Sequence, residues 1–209
     1  MGSDYSLYAQ SLDTPLSSII AIDERFLFPN PKIFNLQGGD CCDDPFIQDN
    51  DGVSYFKINK IGLSTKIIIY DSFNKPLFII DKEFFSFDYI IKSGESDQII
   101  ANVEKNGFFT YSDFNCRFKN CYTGKVDYLE IISKNFQNFF GVYQGEKEKG
   151  APLICKIYKN PNSDCCSPLN FIIEIAPNID ACLMVGLALI FMEYIQTTEN
   201  ATVAAAASN

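Results

Sequence analysis

Residues Ala181–Met192 form an unbroken run of apolar or small side chains near the end of a chain that otherwise reads as short strands. Ala, Leu and Met favour helix over strand. Just upstream, Asn178 reads as the N-cap and Asp180 as an acid complementing the positive helix end. The apolar residues cover the whole circumference, so this helix must be surrounded on every side. The run spans about 18 Å as a helix, short of the ~30 Å core of a bilayer. Extending it to 179–195 brings in Asp180 and Glu193. A buried core helix is therefore the expectation, with a transmembrane anchor as the alternative. Ala181, Leu183, Met184, Val185, Gly186, Leu187, Leu189, Ile190 and Phe191 are its predicted core positions.

The sequence offers strands to surround it. Runs rich in Ile, Phe, Tyr and Val recur between Gly, Asn, Asp and Pro. The clearest span 55–59, 66–70, 77–81, 84–91, 98–103, 126–133, 153–158 and 170–176. Phe85, Phe87 and Tyr89 alternate with Ser86 and Asp88, giving one apolar and one wet face. Residues 37–51 and 143–150 read as surface loops. Residues 1–20 read as a flexible lead-in, 21–196 as one domain, and 197–209 as a disordered Ala-rich tail. An antiparallel sheet closed on itself has no exposed edge and an apolar interior. A helix apolar all round can fill that interior.

Composition excludes several functions. The 209 residues carry 17 Lys+Arg and 26 Asp+Glu, a formal charge of −9, and no His. The acidic balance argues against nucleic-acid binding, which needs a basic footprint. Without His there is no Ser-His-Asp triad, Cys-His dyad or His-containing zinc site. No nucleophile–base pair stands out, so neither an enzyme nor a cofactor is expected. Asp49-Asn50-Asp51-Gly52 invites a calcium reading, but Ile47 and Ile58 hold the first and twelfth loop positions. It reads as a turn. The eight Cys form no C-x-x-C pair. The opening residues lack a basic and an apolar signal region. A reducing cytoplasmic setting with free thiols is the expectation. Met1-Gly2-Ser3-Asp4-Tyr5-Ser6 fits the N-myristoylation pattern at Gly2.

Four stretches together resemble the LURP-one-related family, whose fold is shared with the tubby C-terminal domain and more distantly with phospholipid scramblases. They are Asp51–Ile58; Leu63-Ser64 leading into Lys66–Asp71 and Asn74–Ile80; Tyr128–Ile131 followed by Phe139–Tyr143; and Phe171–Asp180 running into the apolar helix. Asn74 stands where the family's turn has Gly, and Asn accepts positive φ. The resemblance implies a mainly β, tubby-like fold: a closed twelve-stranded antiparallel β-barrel around a central hydrophobic C-terminal α-helix. Tubby domains bind phosphoinositide headgroups through basic residues on strands, which makes Lys57, Lys60 and Lys66 headgroup candidates. Scramblases carry acylated Cys clusters, which adds Cys41, Cys42, Cys165 and Cys166 to Gly2 as acylation candidates. Glu174, Asn178 and Asp180 lie where scramblases place a calcium-linked segment, but their spacing is poor and no metal is expected. The implied function is a non-catalytic, monomeric module, cytoplasmic and peripheral to a membrane, that binds anionic phospholipid or a protein partner. Scramblase-like lipid transport and a scaffold without a lipid role are the alternatives.

Overall fold

Twelve strands follow one another in the computed structural model, each pairing antiparallel with the next. They are β1 (Lys32–Gln37), β2 (Phe46–Asp49), β3 (Phe56–Lys60), β4 (Ile67–Asp71), β5 (Pro76–Lys82) and β6 (Tyr89–Ser93). β7 (Ile99–Asn106), β8 (Asp113–Lys119), β9 (Val126–Lys134), β10 (Phe139–Tyr143), β11 (Leu153–Lys159) and β12 (Asn170–Ile175) complete the wall. Register pairs from Lys32↔Ile175 to Gln37↔Asn170 join β1 to β12, so the barrel is closed. The structure describes residues 8–38, 45–60, 66–82, 86–106, 113–134, 139–160 and 170–207, with side chains to 198.

Alternation builds the wall. In β4, Ile67, Ile69 and Asp71 point in and are buried, while Ile68 and Tyr70 are half-buried. β8 does the same with Phe114, Cys116 and Phe118 inside. The C-terminal α-helix, α1 (Ala181–Ala207), fills the interior. Every residue from Ala181 to Met192 is buried, as the all-round apolar pattern requires. Phe191 stacks on Phe140 at 4.3 Å between centroids. A Cβ on Gly186 would lie 3.2 Å from the Phe78 ring, so Gly lets the helix approach β5 closely. By length and hydropathy, Ala181–Thr198 could cross a membrane; in this fold the barrel wall covers most of it.

Several expectations are corrected. Asn178 is not the N-cap: it adopts φ 60° in the turn before the helix. Asp180 caps instead, its Oδ1 accepting from the N–H groups of Cys182 and Leu183. Of the strand read at 84–91, residues 84 and 85 lie outside the described residues, Phe87 lies in a bend, partly exposed, and the strand among the described residues begins at Tyr89. The loop read at 37–51 contains β2. The helix continues to Ala207 through most of the segment read as a disordered tail.

The lead-in is also more than flexible chain from Tyr8 onward. Residues 8–28 form a strap: Tyr8 packs edge-on against Phe139 and Tyr158 on the side of β10 and β11, and from Asp13, bonded to Leu153, the segment crosses one end of the barrel. The Lys156 ammonium donates to the carbonyls of Tyr8 (3.1 Å) and Gln10 (2.9 Å). Gln144 accepts from Leu16 N–H at 2.7 Å, and Asn120 accepts from Ile20 N–H at 3.2 Å. Ile19 forms a parallel bridge with Ile179. This strap end also holds the β2–β3, β4–β5, β6–β7, β8–β9 and β10–β11 turns and the start of α1. The helix leaves by the opposite end, the mouth.

Candidate functional site

β3, β5, β7, β9 and β11 all run from the strap end to the mouth. Four of them carry, at their last residue or one before it, the same short pattern: an inward Ile or Val, one outward residue, then Lys. The triplets are Ile58-Asn59-Lys60, Ile80-Asp81-Lys82, Val103-Glu104-Lys105 and Ile157-Tyr158-Lys159. A period of two returns each Lys to the inward-facing side of its strand. There the wall ends and the long stems can lie on apolar surface with the ammonium groups in water. These four lysines are set around the mouth through which α1 leaves.

Three of them have defined surroundings. Lys60 Nζ lies 2.8 Å from Glu193 Oε2, an ion pair without hydrogen-bond alignment. Lys82 Nζ sits 5.3 Å from the Phe87 ring centroid and 5.8 Å from that of Tyr89. Lys105 Nζ sits 5.1 Å from the same Phe87 centroid and 5.5 Å from that of Tyr194. Phe87 packs edge-on against Tyr194 at 5.4 Å. Ring faces attract ammonium groups without neutralising them. Among the described residues, neither Lys82 nor Lys105 has a carboxylate within ion-pair distance. The Tyr89 hydroxyl is buried beside them with no hydrogen-bond partner. Burial, then the Glu193 and Tyr194 charges, push its acidity well below that of an ordinary phenol.

The strap end has the opposite character. Asp49 and Asp71 begin two turns of the same build. Asp49 Oδ1 accepts from the N–H groups of Asp51 and Val53, and Asp71 Oδ1 from those of Phe73 and Lys75, all at 2.9 Å. Gly52 and Asn74 take positive φ at the matching corner. Each carboxylate then reaches one cation: Lys32 at 2.7 Å for Asp49, Arg25 at 3.2 Å for Asp71. Lys32 chiefly, with the turn N–H groups, holds Asp49 below the usual carboxylate range. For Asp71 burial pulls upward, but the two N–H groups and Arg25 outweigh it, and it too lies below that range.

The predicted headgroup residues do not converge. Lys57 faces outward from β3 and donates to Asn74 Oδ1 at 2.7 Å. Lys60 belongs to the mouth. Lys66 lies before β4 and reaches Asp81 at 3.7 Å, a carboxylate that also pairs with Lys92. Lys82, Lys105 and Lys159 stand with Lys60 at the mouth, and the repeated apolar-x-Lys pattern is the sequence signal of that placement. Gly2, Cys41, Cys42, Cys165 and Cys166 lie outside the described residues. Cys116, Cys155 and Cys182 are buried. Burial pushes the Cys116 thiol up to about 12 and the other two well above the ordinary value, which removes them as nucleophiles at neutral pH. No group of metal-ligating side chains occurs among the described residues.

Comparison with known proteins follows this geometry. Residues 27–192 match the LURP-one-related family. An X-ray structure of a protein from Arabidopsis thaliana is similar with a TM-score of 0.61 at 14% identity, covering 85% of this chain and 98% of that one. It has the same barrel fold. Comparison with curated proteins gave no match.

Proposed function

The chain belongs to the LURP-one-related family, and we propose that it is a non-catalytic module that meets anionic phospholipid surfaces with the mouth of its barrel. The observation that carries this reading is the gathering of lysines at one end of the barrel. Lys60, Lys82, Lys105 and Lys159 stand at the mouth, whereas at the strap end Asp49 and Asp71 are matched by Lys32 and Arg25. A chain of net charge −9 is repelled by an anionic leaflet as a whole. Concentrating lysines on one face, within a Debye length of ~8 Å of the surface, gives a local attraction that the net charge conceals. Each such Lys is worth about 1 kcal/mol. The attachment is therefore reversible, and an acyl chain at Gly2 or a Cys pair would be the second signal for a lasting one.

Co-sedimentation with vesicles tests this. The protein should bind vesicles containing phosphatidylserine at low salt, release at physiological salt, and ignore pure phosphatidylcholine. Equal binding to neutral and anionic vesicles, or none at low salt, would overturn the reading and leave a protein scaffold as the better account.

A further inference from the structure

Within the mouth, the four lysines are not equivalent. Lys60 is matched by Glu193. Lys82 and Lys105 stand on β5 and β7, on either side of β6, and both place their ammonium groups over the Phe87 ring. Both are half-buried, so their stems are fixed against the wall. Asp88, between them in sequence, spends an oxygen on the Lys105 backbone N–H at 2.9 Å. Two ammonium groups that have aromatic partners and, among the described residues, no ion-paired acid thus lie within 5.3 Å of one ring centroid at one edge of the mouth. The Tyr89 ring lies 5.8 Å from Lys82 Nζ, and its hydroxyl, in a residue 1% exposed, lacks a hydrogen-bond partner. A buried hydroxyl without a hydrogen bond is destabilising, and an acceptor oxygen brought to it would relieve that cost.

We propose that Lys82, Lys105 and Phe87 form a socket for a phosphate monoester, with Lys60, Glu193 and Tyr194 as its far wall. The proposal rests on the reading that the mouth meets anionic ligands, and it adds which anion. A monoester carries about −1.5 to −2 charges at pH 7 and three strong acceptor oxygens. That matches two ammonium groups and leaves an acceptor for a hydroxyl donor. A phosphodiester carries one charge and leaves one ammonium uncompensated. The monoester can sit on a lipid, as in phosphatidic acid, or on a small soluble metabolite.

The test compares vesicles of phosphatidic acid, a monoester, with vesicles of phosphatidylglycerol, a diester, matched for surface potential. Glycerol 3-phosphate is titrated calorimetrically in parallel. Wild type should prefer phosphatidic acid by about tenfold, the worth of one charge-assisted contact. K82Q/K105Q should lose that preference, binding the two vesicles equally and both more weakly than wild type does. K134Q, at the exposed end of β9, should keep it. Equal wild-type binding to the two vesicles overturns the socket and leaves the membrane reading intact. So does a preference that survives in K82Q/K105Q. If neither vesicle binds but glycerol 3-phosphate does, and K82Q/K105Q abolishes that, the socket stands with a soluble ligand and the membrane reading falls. No binding in any arm overturns both. The wild-type comparison needs no variant, so it decides even if K82Q/K105Q is unstable.

Discussion

Asp180 Oδ2 accepts the backbone N–H of Ile22 at 2.6 Å, tying the start of the core helix to the strap. The same oxygen accepts from Ala21 at 2.9 Å and Asp23 at 3.2 Å, while Oδ1 caps the helix. Asp180 is fully buried. Burial raises its carboxyl above the ordinary value, and the N–H donors pull it partly back. Both oxygens are acceptors here, and an amide has only one. Asp180→Asn would turn an NH2 group toward N–H donors and leave them unpaired. We expect a loss of about 3 kcal/mol or more, read from the urea midpoint. A change under 1 kcal/mol would mean that the strap does not depend on this carboxylate.

Lys156 gives a second prediction. Its side chain is 4% exposed, under the strap, 2.6 Å from Glu174 Oε2, while Tyr158 donates to the other Glu174 oxygen. Removing one member of a buried pair leaves a stranded charge, costing about 3–5 kcal/mol, whereas replacing both is often near neutral. Lys156→Met should therefore destabilise strongly, and Lys156→Met with Glu174→Leu should recover most of the loss. Additive losses in the double-mutant cycle would contradict a coupled pair.

Gly94 is required for space, not for its φ. A Cβ there would lie 2.6 Å from the Pro76 carbonyl carbon and oxygen, and backbone cannot swing aside. Gly94→Ala should force β5 and the β6–β7 turn apart and cost about 1–3 kcal/mol. Gly124→Ala, where a Cβ meets nothing but φ is +72°, serves as the strain-only comparison. Thermal melts of the two variants separate crowding from conformational strain.

Leu187 is fully buried in mid-helix. Leu187→Asp places an unpaired carboxylate inside the barrel, costing several kcal/mol. We expect loss of the cooperative melt. A normal melt would mean that the helix is not the core.

Acid should weaken the fold through Asp49 and Asp71. Both have folded pKa values below the unfolded value near 3.9. Their contribution is fully present above that value and is lost as pH falls through the folded values. Asp180, shifted upward, acts in the opposite sense just above the unfolded value. Denaturant midpoints should thus fall below about pH 4. The fall should be shallower in Asp49→Asn with Asp71→Asn, where those titrations are gone. An unchanged acid limb would remove the two turns from the account.

Legibility followed locality. α1 was readable because its signal is a continuous run, and β4 or β12 because Ile and Phe repeat every second residue. β8 alternates as well, but Asn115, Arg117 and Lys119 on its outer side make it read as a polar stretch. β2 is short and follows a segment rich in Gly, Asp and Cys. The strap was hidden for a different reason. Its anchors at Asn120, Gln144 and Asp180 use backbone N–H groups of Ile20, Leu16 and Ile22, more than 90 residues away, and no local composition records them. The mouth lysines were local but dispersed. Only when the strands are aligned in one direction do Lys60, Lys82, Lys105 and Lys159 fall at the same height.

The element that fills the barrel is made after every strand that surrounds it. Every strand from Lys32 to Ile175 leaves the ribosome before Ala181. With synthesis at about 5–20 residues per second, the early hairpins wait several seconds for the surface they are built to enclose. During that interval their Ile and Phe faces have no partner, and β1 cannot be sealed by β12. Completion of the fold therefore waits for α1, which follows every strand of the barrel in the chain. A stalled or truncated product lacking α1 would be a sheet with two open edges and an apolar face, a substrate for chaperones and proteases.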